Sequence, residues 1–435
     1  MLYDTLYENL SANDQGHLTM AGQDVTTLAE QFGTPLLLMD ENVIRMRCRT
    51  YLAAMKESFP AGSLPLYASK ALSCKAMYQI MKEEGMGVDV SSPGELYTAL
   101  KAGFPMERVY FHGNNKTDAD IRMGIENGIG CFICDNADEL TVINEEAGRH
   151  GVKQNVLLRV TPGIDPHTHE KINTGRIDSK FGAAIETGQA DLLVNQALHS
   201  ANVVLCGFHC HIGSQIFDHD PFCDAAVLMV AFLAEMKQKY GYEAEVLNLG
   251  GGMAVRYTAD DPVIDYAANI CHIGKLVSKA CADANIGEPR ILMEPGRSIV
   301  ADSGITLYTV GGTKHIPGFR NYVSIDGGMT DNPRYTLYQS RYTVLPASRM
   351  NEPAAMDYTV AGRCCESGDL IQEGVALPEL HRGDLLAVLT TGAYNYSMAS
   401  NYNRVPRPAV VLLNQDGPRV AVRRETFEDL LLNDL

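Results

Sequence analysis

The 435-residue sequence lacks the features that mark membrane and secreted proteins. No apolar run approaches the roughly 18 residues that a membrane-spanning helix requires. Residues 1–31 contain no basic region followed by an apolar stretch, so we expect no signal peptide. There is also no internal repeat and no low-complexity linker.

Positive charge is scarce, since 36 lysines and arginines face 53 acidic residues and the formal net charge is −17. Nucleic acid and anionic membranes both attract positively charged surfaces. We therefore expect neither as a partner.

The eleven cysteines form no repeated spacing, and their number is odd. This pattern is typical of free thiols in a reducing compartment, which predicts a cytoplasmic protein. The close pairs Cys131/Cys134 and Cys206/Cys210 fall on predicted strands without a second ligand pair nearby, so they predict no metal site.

Length and composition (46% hydrophobic, 20% charged) suit a two-domain globular protein. Between residues 34 and 303, helices separate eight apolar strands: Leu64–Lys70, Gly87–Ser91, Arg108–His112, Gly130–Asp135, Asn155–Thr161, Val203–His211, Glu245–Leu249 and Arg290–Glu294. Such alternation indicates an α/β fold with a parallel sheet buried on both faces. Eight units favour a (β/α)8 TIM-like barrel, although an open doubly wound sheet gives the same alternation.

Residues 304–435 show a different pattern, with short strands separated by turns rich in Gly, Pro and Asn. This predicts a mostly antiparallel β-barrel or sandwich domain. Residues 1–33 are predicted to join it, because chain ends often lie together.

Polar residues stand at or just after the carboxyl end of each barrel strand: Lys70, Asp89, His112, Asp135, Arg159, His211, Gly250–Gly252 and Glu294. In a closed barrel these ends meet at one mouth, where active sites are found. We therefore expect these side chains to form one site.

Three of these features suggest a particular chemistry. We expect Lys70 in a partly dry pocket, where loss of hydration makes the amine a nucleophile, although a surface lysine fits the segment too. The triple glycine Gly250-Gly251-Gly252 lets the backbone approach a phosphate, or forms a flexible turn. The turn Glu294-Pro295-Gly296-Arg297 presents an acid for a pyridine nitrogen and an arginine for an anion, or a structural Glu–Arg pair.

His209 and His211 face the same side of their strand by period-two alternation, and His211 lies nearer the mouth. There its imidazole can stack on a flat ring while Ser214 offers a hydrogen bond. Two histidines on one side also suggest zinc, but no third ligand has an obvious place, so we predict no metal.

An amine, a phosphate loop, an acid for a ring nitrogen and a stacking histidine are the requirements of pyridoxal 5'-phosphate. The sequence also resembles the diaminopimelate decarboxylase family, in the alanine-racemase-like (fold-type III) group of pyridoxal-phosphate proteins. The resemblance runs from about residue 34 to 413 and is carried by Tyr67-Ala68-Ser69-Lys70, His112-Gly113-Asn114-Asn115-Lys116, Ser179-Lys180-Phe181-Gly182, His209 to Gln215, Gly250-Gly251-Gly252, Glu294-Pro295-Gly296-Arg297, Cys365-Glu366-Ser367-Gly368-Asp369 and Gly392 to Asn403.

The resemblance implies a role for each matched residue. Lys70 binds the cofactor covalently, and the other cofactor contacts are His211, Ser214, Gly250, Gly251, Gly252, Glu294, Pro295, Gly296, Arg297 and Tyr394. The substrate is held by Arg297, Arg334, Tyr338, Glu366 and Tyr394, and Cys365 donates a proton. Cys365 and Glu366 enter from the partner subunit, which implies a homodimer; the neighbouring Cys364 leaves open which thiol faces the cofactor.

The implied activity is decarboxylation of meso-diaminopimelate to L-lysine and CO2, the last step of lysine biosynthesis. Alternatives are a related decarboxylase acting on ornithine, arginine or carboxynorspermidine, a racemase, and a non-catalytic relative. Arg297, Arg334 and Tyr338 favour a substrate with a carboxylate at its far end.

Overall fold

The computed structural model describes residues 3–164 and 179–435. Its strands are β1 (Leu10–Ala12), β2 (Leu18–Met20), β3 (Gln23–Asp24), β4 (Leu36–Asp40), β5 (Leu64–Ala68), β6 (Gly87–Val90), β7 (Val109–Phe111), β8 (Cys131–Cys134), β9 (Gln154–Thr161), β10 (Ala183–Ala184), β11 (Val203–His209), β12 (Val246–Asn248), β13 (Arg290–Met293), β14 (Gly304–Ile316), β15 (Arg320–Ile325), β16 (Val344–Pro346), β17 (Met356–Ala361), β18 (Leu370–Leu377), β19 (Leu385–Leu389), β20 (Ala409–Asn414) and β21 (Gly417–Val422). Its helices are α1 (Val25–Phe32), α2 (Glu41–Ser58), α3 (Lys75–Glu84), α4 (Pro93–Lys101), α5 (Asp118–Glu126), α6 (Ala137–Arg149), α7 (Gln189–His199), α8 (Asp220–Tyr240), α9 (Tyr266–Asp283), α10 (Arg297–Val300), α11 (Arg334–Tyr338) and α12 (Phe427–Leu431).

One compact unit, residues 47–254 and 264–296, is a parallel barrel. Its strands follow the order β9-β11-β12-β13-β5-β6-β7-β8, and β8 pairs with β9 to close the ring. The prediction of eight parallel strands in a closed barrel is therefore confirmed, and the open-sheet alternative is wrong.

The barrel sequence explains its local structure. Every residue of β6 and β8 is buried, as expected for strands covered on both faces. Several helices begin at side-chain caps: Thr117 forms a capping box with Asp120, and Asn136 and Asp265 accept hydrogen bonds from the first turns of α6 and α9. These caps fix where the helices begin in the connections that follow the strands.

The other unit comprises residues 1–46, 255–263 and 297–435. Its main sheet has the order β18-β17-β15-β14-β4-β20-β21, and β19 pairs with β14 and β16. Most pairs are antiparallel, as predicted, whereas β15–β17 and β4–β20 are parallel. A short sheet of β1, β2 and β3 packs into the same hydrophobic core through Leu10, Leu18 and Met20.

Strand β4 lies between β14 and β20 in this sheet, although we expected the barrel segment to begin at residue 34. Its five residues are all buried. A central strand of this kind has the same apolar sequence as a barrel strand, so the pattern does not distinguish the two.

The eleven cysteines all lie in the described ranges, and each is a free thiol. Within residues 3–164 and 179–435, no helix has the length and apolar content needed to cross a membrane.

Candidate active site

Polar side chains from several strand ends of the barrel unit meet, as the strand pattern predicts. Nε2 of His112, just after β7, lies 2.8 Å from Oε1 of Glu294 and 3.9 Å from Oδ1 of Asp89. Arg159 on β9 is buried, which lowers its pKa, while the charges of Asp135, Glu294 and Asp89 act in the opposite direction. These residues belong to five different strand ends, so they define one mouth.

Glu294 is the centre of this cluster. The amide of Asn248 donates a 2.6 Å hydrogen bond to Oε1, and Nε2 of His209 lies 3.2 Å from Oε2. Burial alone disfavours the carboxylate, but the contacts with His112 and His209 hold the pKa of Glu294 well below its usual value. Glu294 is therefore a buried anion at neutral pH.

For Asp89 and His209, in contrast to Glu294, burial outweighs the contacts with neighbouring groups and favours the neutral form. Burial raises the pKa of Asp89, and the positive charges of Lys70 and Arg159 partly offset this effect. Burial also lowers the pKa of His209 to about 4, so its ring is neutral at neutral pH. The rings of His209 and His112 pack edge to face, with centroids 4.8 Å apart.

The three glycines after β12 pack against neighbouring backbone. A Cβ on Gly251 would lie 2.0 Å from the carbonyl oxygen of Glu294. Gly252 has a φ of +124°, and a Cβ there would lie 2.3 Å from the carbonyl oxygen of Gly213. Only glycine fits these positions, and the resulting bare backbone matches what a phosphate needs.

His211 stands beside the glycine loop. The Gly251 N–H donates a 3.3 Å hydrogen bond to its Nδ1. Desolvation by the barrel lowers the pKa of His211 well below its ordinary value, and the charges of Lys70 and Arg159 lower it further. A neutral, flat imidazole at this place suits stacking on an aromatic ring. Ser214 lies in the loop after β11, like His211, and is partly buried.

Lys70 occupies a short 3₁₀ turn, Ser69–Ala71, directly after β5. Its neighbours Ser69 and Ala71 are buried, but Lys70 is exposed, so the expectation of a partly dry pocket is wrong for the single chain. The turn directs the small side chains inward and the long one outward. The charge of Lys70 still lowers the pKa of His211 and Asp89, which places the lysine at the mouth.

The predicted turn Glu294-Pro295-Gly296 packs tightly against the end of β5. The Ala68 N–H at the end of β5 donates a 3.0 Å hydrogen bond to the carbonyl of Pro295. A Cβ on Gly296 would lie 2.9 Å from the Cβ of Ala68. The Glu294-Pro295-Gly296 turn is thereby fixed next to the end of β5, directly before the turn that carries Lys70.

The residues of this mouth fit pyridoxal phosphate. The glycine loop offers bare backbone for the phosphate, His211 offers a flat neutral ring, and Glu294 is a buried acid that can face a ring nitrogen. Lys70 supplies the amine.

The second unit gathers most of the predicted substrate-binding residues. Arg334 and Tyr338 begin and end α11, and the guanidinium carbon lies 5.2 Å from the centre of the Tyr338 ring, as the spacing of four predicts. The same guanidinium lies 5.8 Å from the Tyr394 ring. Arg334 is 5% exposed, and Nη2 donates a 3.3 Å hydrogen bond to Ser340.

Arg334 carries a buried positive charge without an acidic partner in residues 3–164 and 179–435. Nε makes no hydrogen bond, and no carboxylate among the described residues forms an ion pair with this guanidinium. An isolated buried charge is costly unless an anion of a ligand pairs with it.

Arg297 belongs to the same unit and is also buried. It donates a 2.6 Å hydrogen bond to the hydroxyl of Tyr257. Its guanidinium carbon lies 4.7 Å from the centre of the Tyr394 ring, so Tyr394 contacts both arginines.

Cys365 and Glu366 are exposed in the single chain. The Cys365 N–H donates a 2.7 Å hydrogen bond to Asn403, while the Cys364 N–H bonds to the carboxylate of Asp369. Cys364 is partly buried, and burial raises the pKa of its thiol to about 11. Of the two cysteines, Cys365 is the exposed one.

The structure adds residues that the sequence did not single out. Asn248 precedes the triple glycine at the end of β12, so its position was a usable signal. Tyr257 is separated from Arg297 by forty residues and no motif links the two. The sequence did not reveal the contact between His209 and Glu294 either, because the two residues are far apart in the chain.

His112, His209 and Glu294 have ligand atoms within 4.8 Å of one another, which supplies the additional ligands that the zinc alternative lacked. In a tetrahedral zinc site, ligand atoms about 2.1 Å from the metal lie about 3.4 Å apart. The 2.8 Å separation of His112 from Glu294 is shorter. These contacts are those of a polar network around a carboxylate.

Comparison with known proteins identifies the class. The family model described as "Pyridoxal-dependent decarboxylase, pyridoxal binding domain" matches residues 44–301. This range includes all eight barrel strands and the residues of the mouth. The protein is thus a pyridoxal-phosphate enzyme of the decarboxylase class.

Individual relatives show which family within this class the chain belongs to. A diaminopimelate decarboxylase of Bacillus subtilis (strain 168) is 46% identical over 426 residues, which cover 97% of this chain and 96% of the relative. The crystal structure of diaminopimelate decarboxylase from M. jannaschii with L-lysine has a TM-score of 0.90 at 35% identity, covering 98% of both chains. That of the Helicobacter pylori enzyme with L-lysine has a TM-score of 0.84 at 31% identity, covering 94% of this chain and 98% of the other. The chain belongs to the diaminopimelate decarboxylase family.

Proposed function

We propose that this enzyme removes CO2 from meso-diaminopimelate to form L-lysine, the last step of lysine biosynthesis, with pyridoxal 5'-phosphate held at the barrel mouth. The observation that carries the choice of substrate is Arg334, a buried guanidinium with no acidic partner among the described residues. A substrate with a carboxylate at its far end supplies that partner.

In this proposal the barrel residues bind and orient the cofactor. Lys70 forms the covalent bond, the three glycines and Ser214 hold the phosphate, and His211 lies against the ring. When bound, the cofactor accepts the electrons of the bond that breaks at the substrate Cα. Glu294 faces the ring nitrogen and keeps a proton there through its negative charge.

The second unit supplies substrate recognition. Arg297, Arg334, Tyr338 and Tyr394 hold the distal carboxylate, with the tyrosine rings excluding water around both guanidinium groups. Glu366 binds the distal ammonium, and Cys365 returns a proton to Cα. An analogue without the distal carboxylate leaves the buried Arg334 without an anion, which is the basis of specificity.

We also propose a homodimer in which Cys365 and Glu366 of one subunit complete the site of the other. Their exposure in the single chain supports this assignment, since groups that act in a shared site are not buried in their own subunit. A cytoplasmic location is supported by the eleven free thiols.

The experiment is a product assay with a panel of substrates: meso-diaminopimelate, L-lysine, L-ornithine, L-arginine and carboxynorspermidine. We expect CO2 release and L-lysine formation from meso-diaminopimelate to exceed every other turnover, and to depend on added pyridoxal phosphate. Faster release from a substrate without a distal carboxylate would contradict the proposal.

Lys70→Ala tests the cofactor assignment, with Lys75→Ala at the exposed start of α3 as the matched control. Lys70→Ala should lose both CO2 release and the absorbance band of the lysine-bound cofactor, whereas Lys75→Ala should keep both. Retained activity in Lys70→Ala would refute the role of this amine.

A further inference from the structure

The two histidines that touch Glu294 have no part in the proposed function so far. We propose that His112 and His209 are positioning residues that, together with Asn248, keep Glu294 in its charged form, so that the proton between Glu294 and the cofactor ring resides on the ring nitrogen. This inference rests on the proposed function, because it concerns the acid that faces the cofactor.

The geometry shows that the histidines serve this carboxylate. His209 is fully buried and its Nδ1 makes no hydrogen bond in the described part of the chain. Its neutral ring has one N–H, which we assign to Nε2, 3.2 Å from Oε2 of Glu294. The nearest carboxylate oxygen to Nε2 of His112 is Oε1 of Glu294, at 2.8 Å, rather than Asp89 at 3.9 Å.

The carboxylate retains room for one more donor. A carboxylate offers about four acceptor directions, two on each oxygen. On Glu294, Asn248 and His112 occupy the surroundings of Oε1, and His209 takes one direction of Oε2. Oε2 therefore keeps one acceptor direction for the ring nitrogen.

Burial makes these donors necessary. An acid next to a pyridine nitrogen can share a proton in two ways, as a neutral acid beside a neutral ring or as a carboxylate beside a protonated ring. A dry environment favours the neutral pair, because it disfavours both charges. Hydrogen bonds to the carboxylate favour the charged pair, in which the ring withdraws electrons more strongly.

Other charged groups around Glu294 do not replace these contacts. Asp89 repels the Glu294 carboxylate, and Cys210 is a buried thiol whose pKa burial raises to about 12. Arg159 acts on Glu294 through its charge, without a direct ion pair within the described residues. The direct donors are His209 and Asn248, with His112 in close contact.

The test compares His209→Phe, which keeps a flat ring and removes the donor, with His209→Gln, which keeps an N–H donor. Each variant is loaded with pyridoxal phosphate labelled with ¹⁵N at the ring nitrogen, and the ¹⁵N chemical shift is recorded across neutral pH together with kcat and KM. His199→Phe, on the exposed end of α7, is the control for the substitution itself.

We expect the wild-type and His199→Phe enzymes to show a protonated ring nitrogen. In His209→Phe the ratio of the form protonated on the ring nitrogen to the form protonated on Glu294 should fall by a factor of about 10–100, as expected for one lost hydrogen bond to a charged group. In the same variant kcat should fall while KM changes little. His209→Gln should recover most of the protonated signal. A protonated signal in His209→Phe, or equal losses in the Phe and Gln variants, would overturn the proposal.

If His209→Phe does not fold, Asn248→Ala tests the same claim. It removes the donor to Glu294 without adding a second acid, together with the acceptor for the Gly250 N–H, at 2.9 Å in the wild type. An unchanged ring-nitrogen signal in this variant would likewise overturn the proposal. Failure of the proposed function differs from both results, since the wild-type enzyme would then neither bind the cofactor nor release CO2.

Discussion

Nζ of Lys116 lies 2.8 Å from Oε1 of Glu139, and the two side chains are 1% and 3% exposed. Lys116 also donates hydrogen bonds to the carbonyls of Gly113 and Ile133. The pair thus ties the loop after β7 to β8 and the start of α6, beside the barrel mouth.

We predict that Lys116→Met lowers the free energy of unfolding by about 3–5 kcal/mol, because Glu139 is left as a buried, unpaired acid. Adding Glu139→Leu should recover most of the loss. Lys279→Met, which breaks an exposed pair with Asp283, should leave stability nearly unchanged. Urea unfolding of the four proteins measures these differences; a stable Lys116→Met protein would contradict the prediction.

Asp331 should make stability depend on pH. Burial raises its pKa to about 7, although the Tyr308 hydroxyl and the Gly328 N–H donate hydrogen bonds to it. Because the folded-state pKa exceeds the unfolded one, the contribution is fully present below pH about 4 and is lost as the pH rises through about 7.

Asp331→Asn removes this titration, so the fall in unfolding free energy between pH about 4 and 7 should become shallower by an amount on the order of a few kcal/mol. The slope is the readout, since the loss of the Gly328 hydrogen bond lowers stability equally at every pH. Asp14→Asn, at an exposed turn, should leave the slope unchanged. Equal slopes in all three proteins would refute the raised pKa of Asp331.

Arg334→Met should lower kcat/KM for meso-diaminopimelate by at least about 100-fold, because a buried arginine–carboxylate contact is lost. Arg341→Met removes an arginine on the exposed surface, which pairs with Asp260, and should have little effect. Steady-state kinetics measures kcat/KM for both variants. Similar losses in the two would show that Arg334 does not bind the substrate.

Gly251→Ala should abolish tight binding of pyridoxal phosphate, because its Cβ would lie 2.0 Å from the carbonyl oxygen of Glu294 and displace the loop. Gly287→Ala introduces the same methyl group where no atom lies within 4 Å. Titration of the apoenzymes with the cofactor measures the difference. Equal affinity in both variants would exclude the glycine loop as the phosphate site.

A shared active site predicts complementation between inactive subunits. Lys70→Ala and Glu366→Ala, mixed and reassociated, should regain about a quarter of the wild-type activity, since half of the dimers are hybrids with one intact site of two. Lys70→Ala mixed with Glu294→Gln should regain none, because both changes lie in the barrel of their own subunit. Activity in neither mixture would argue against the exchange of Glu366 between subunits.

The parts that the sequence predicts well have local causes. Barrel strands such as Cys131–Cys134 are short apolar runs between capped helices, so their number and direction follow from the pattern. Their carboxyl ends meet because parallel strands of a closed ring all point the same way. Arg334 and Tyr338 stack because residues four apart share a helix face.

The parts that the sequence does not predict depend on distant residues. Whether Leu36–Asp40 joins the barrel or the other sheet is decided by partners in β14 and β20, more than 260 residues later in the chain. The bond from Arg297 to Tyr257 and the contact of His209 with Glu294 have no local signature. The exposure of Lys70 follows from the twist of one 3₁₀ turn, which composition does not reveal.

The position of β4 between β14 and β20 has a consequence for biosynthesis on the ribosome. At about 5–20 residues per second, about 20–75 s separate the synthesis of Asp40 from that of its neighbour strand β20. The barrel can close during this interval, while the amino-terminal strand can pair with β14 but lacks the partner along its other edge until β20 emerges. Nascent chains stalled before residue 409 should therefore be the form most in need of chaperones.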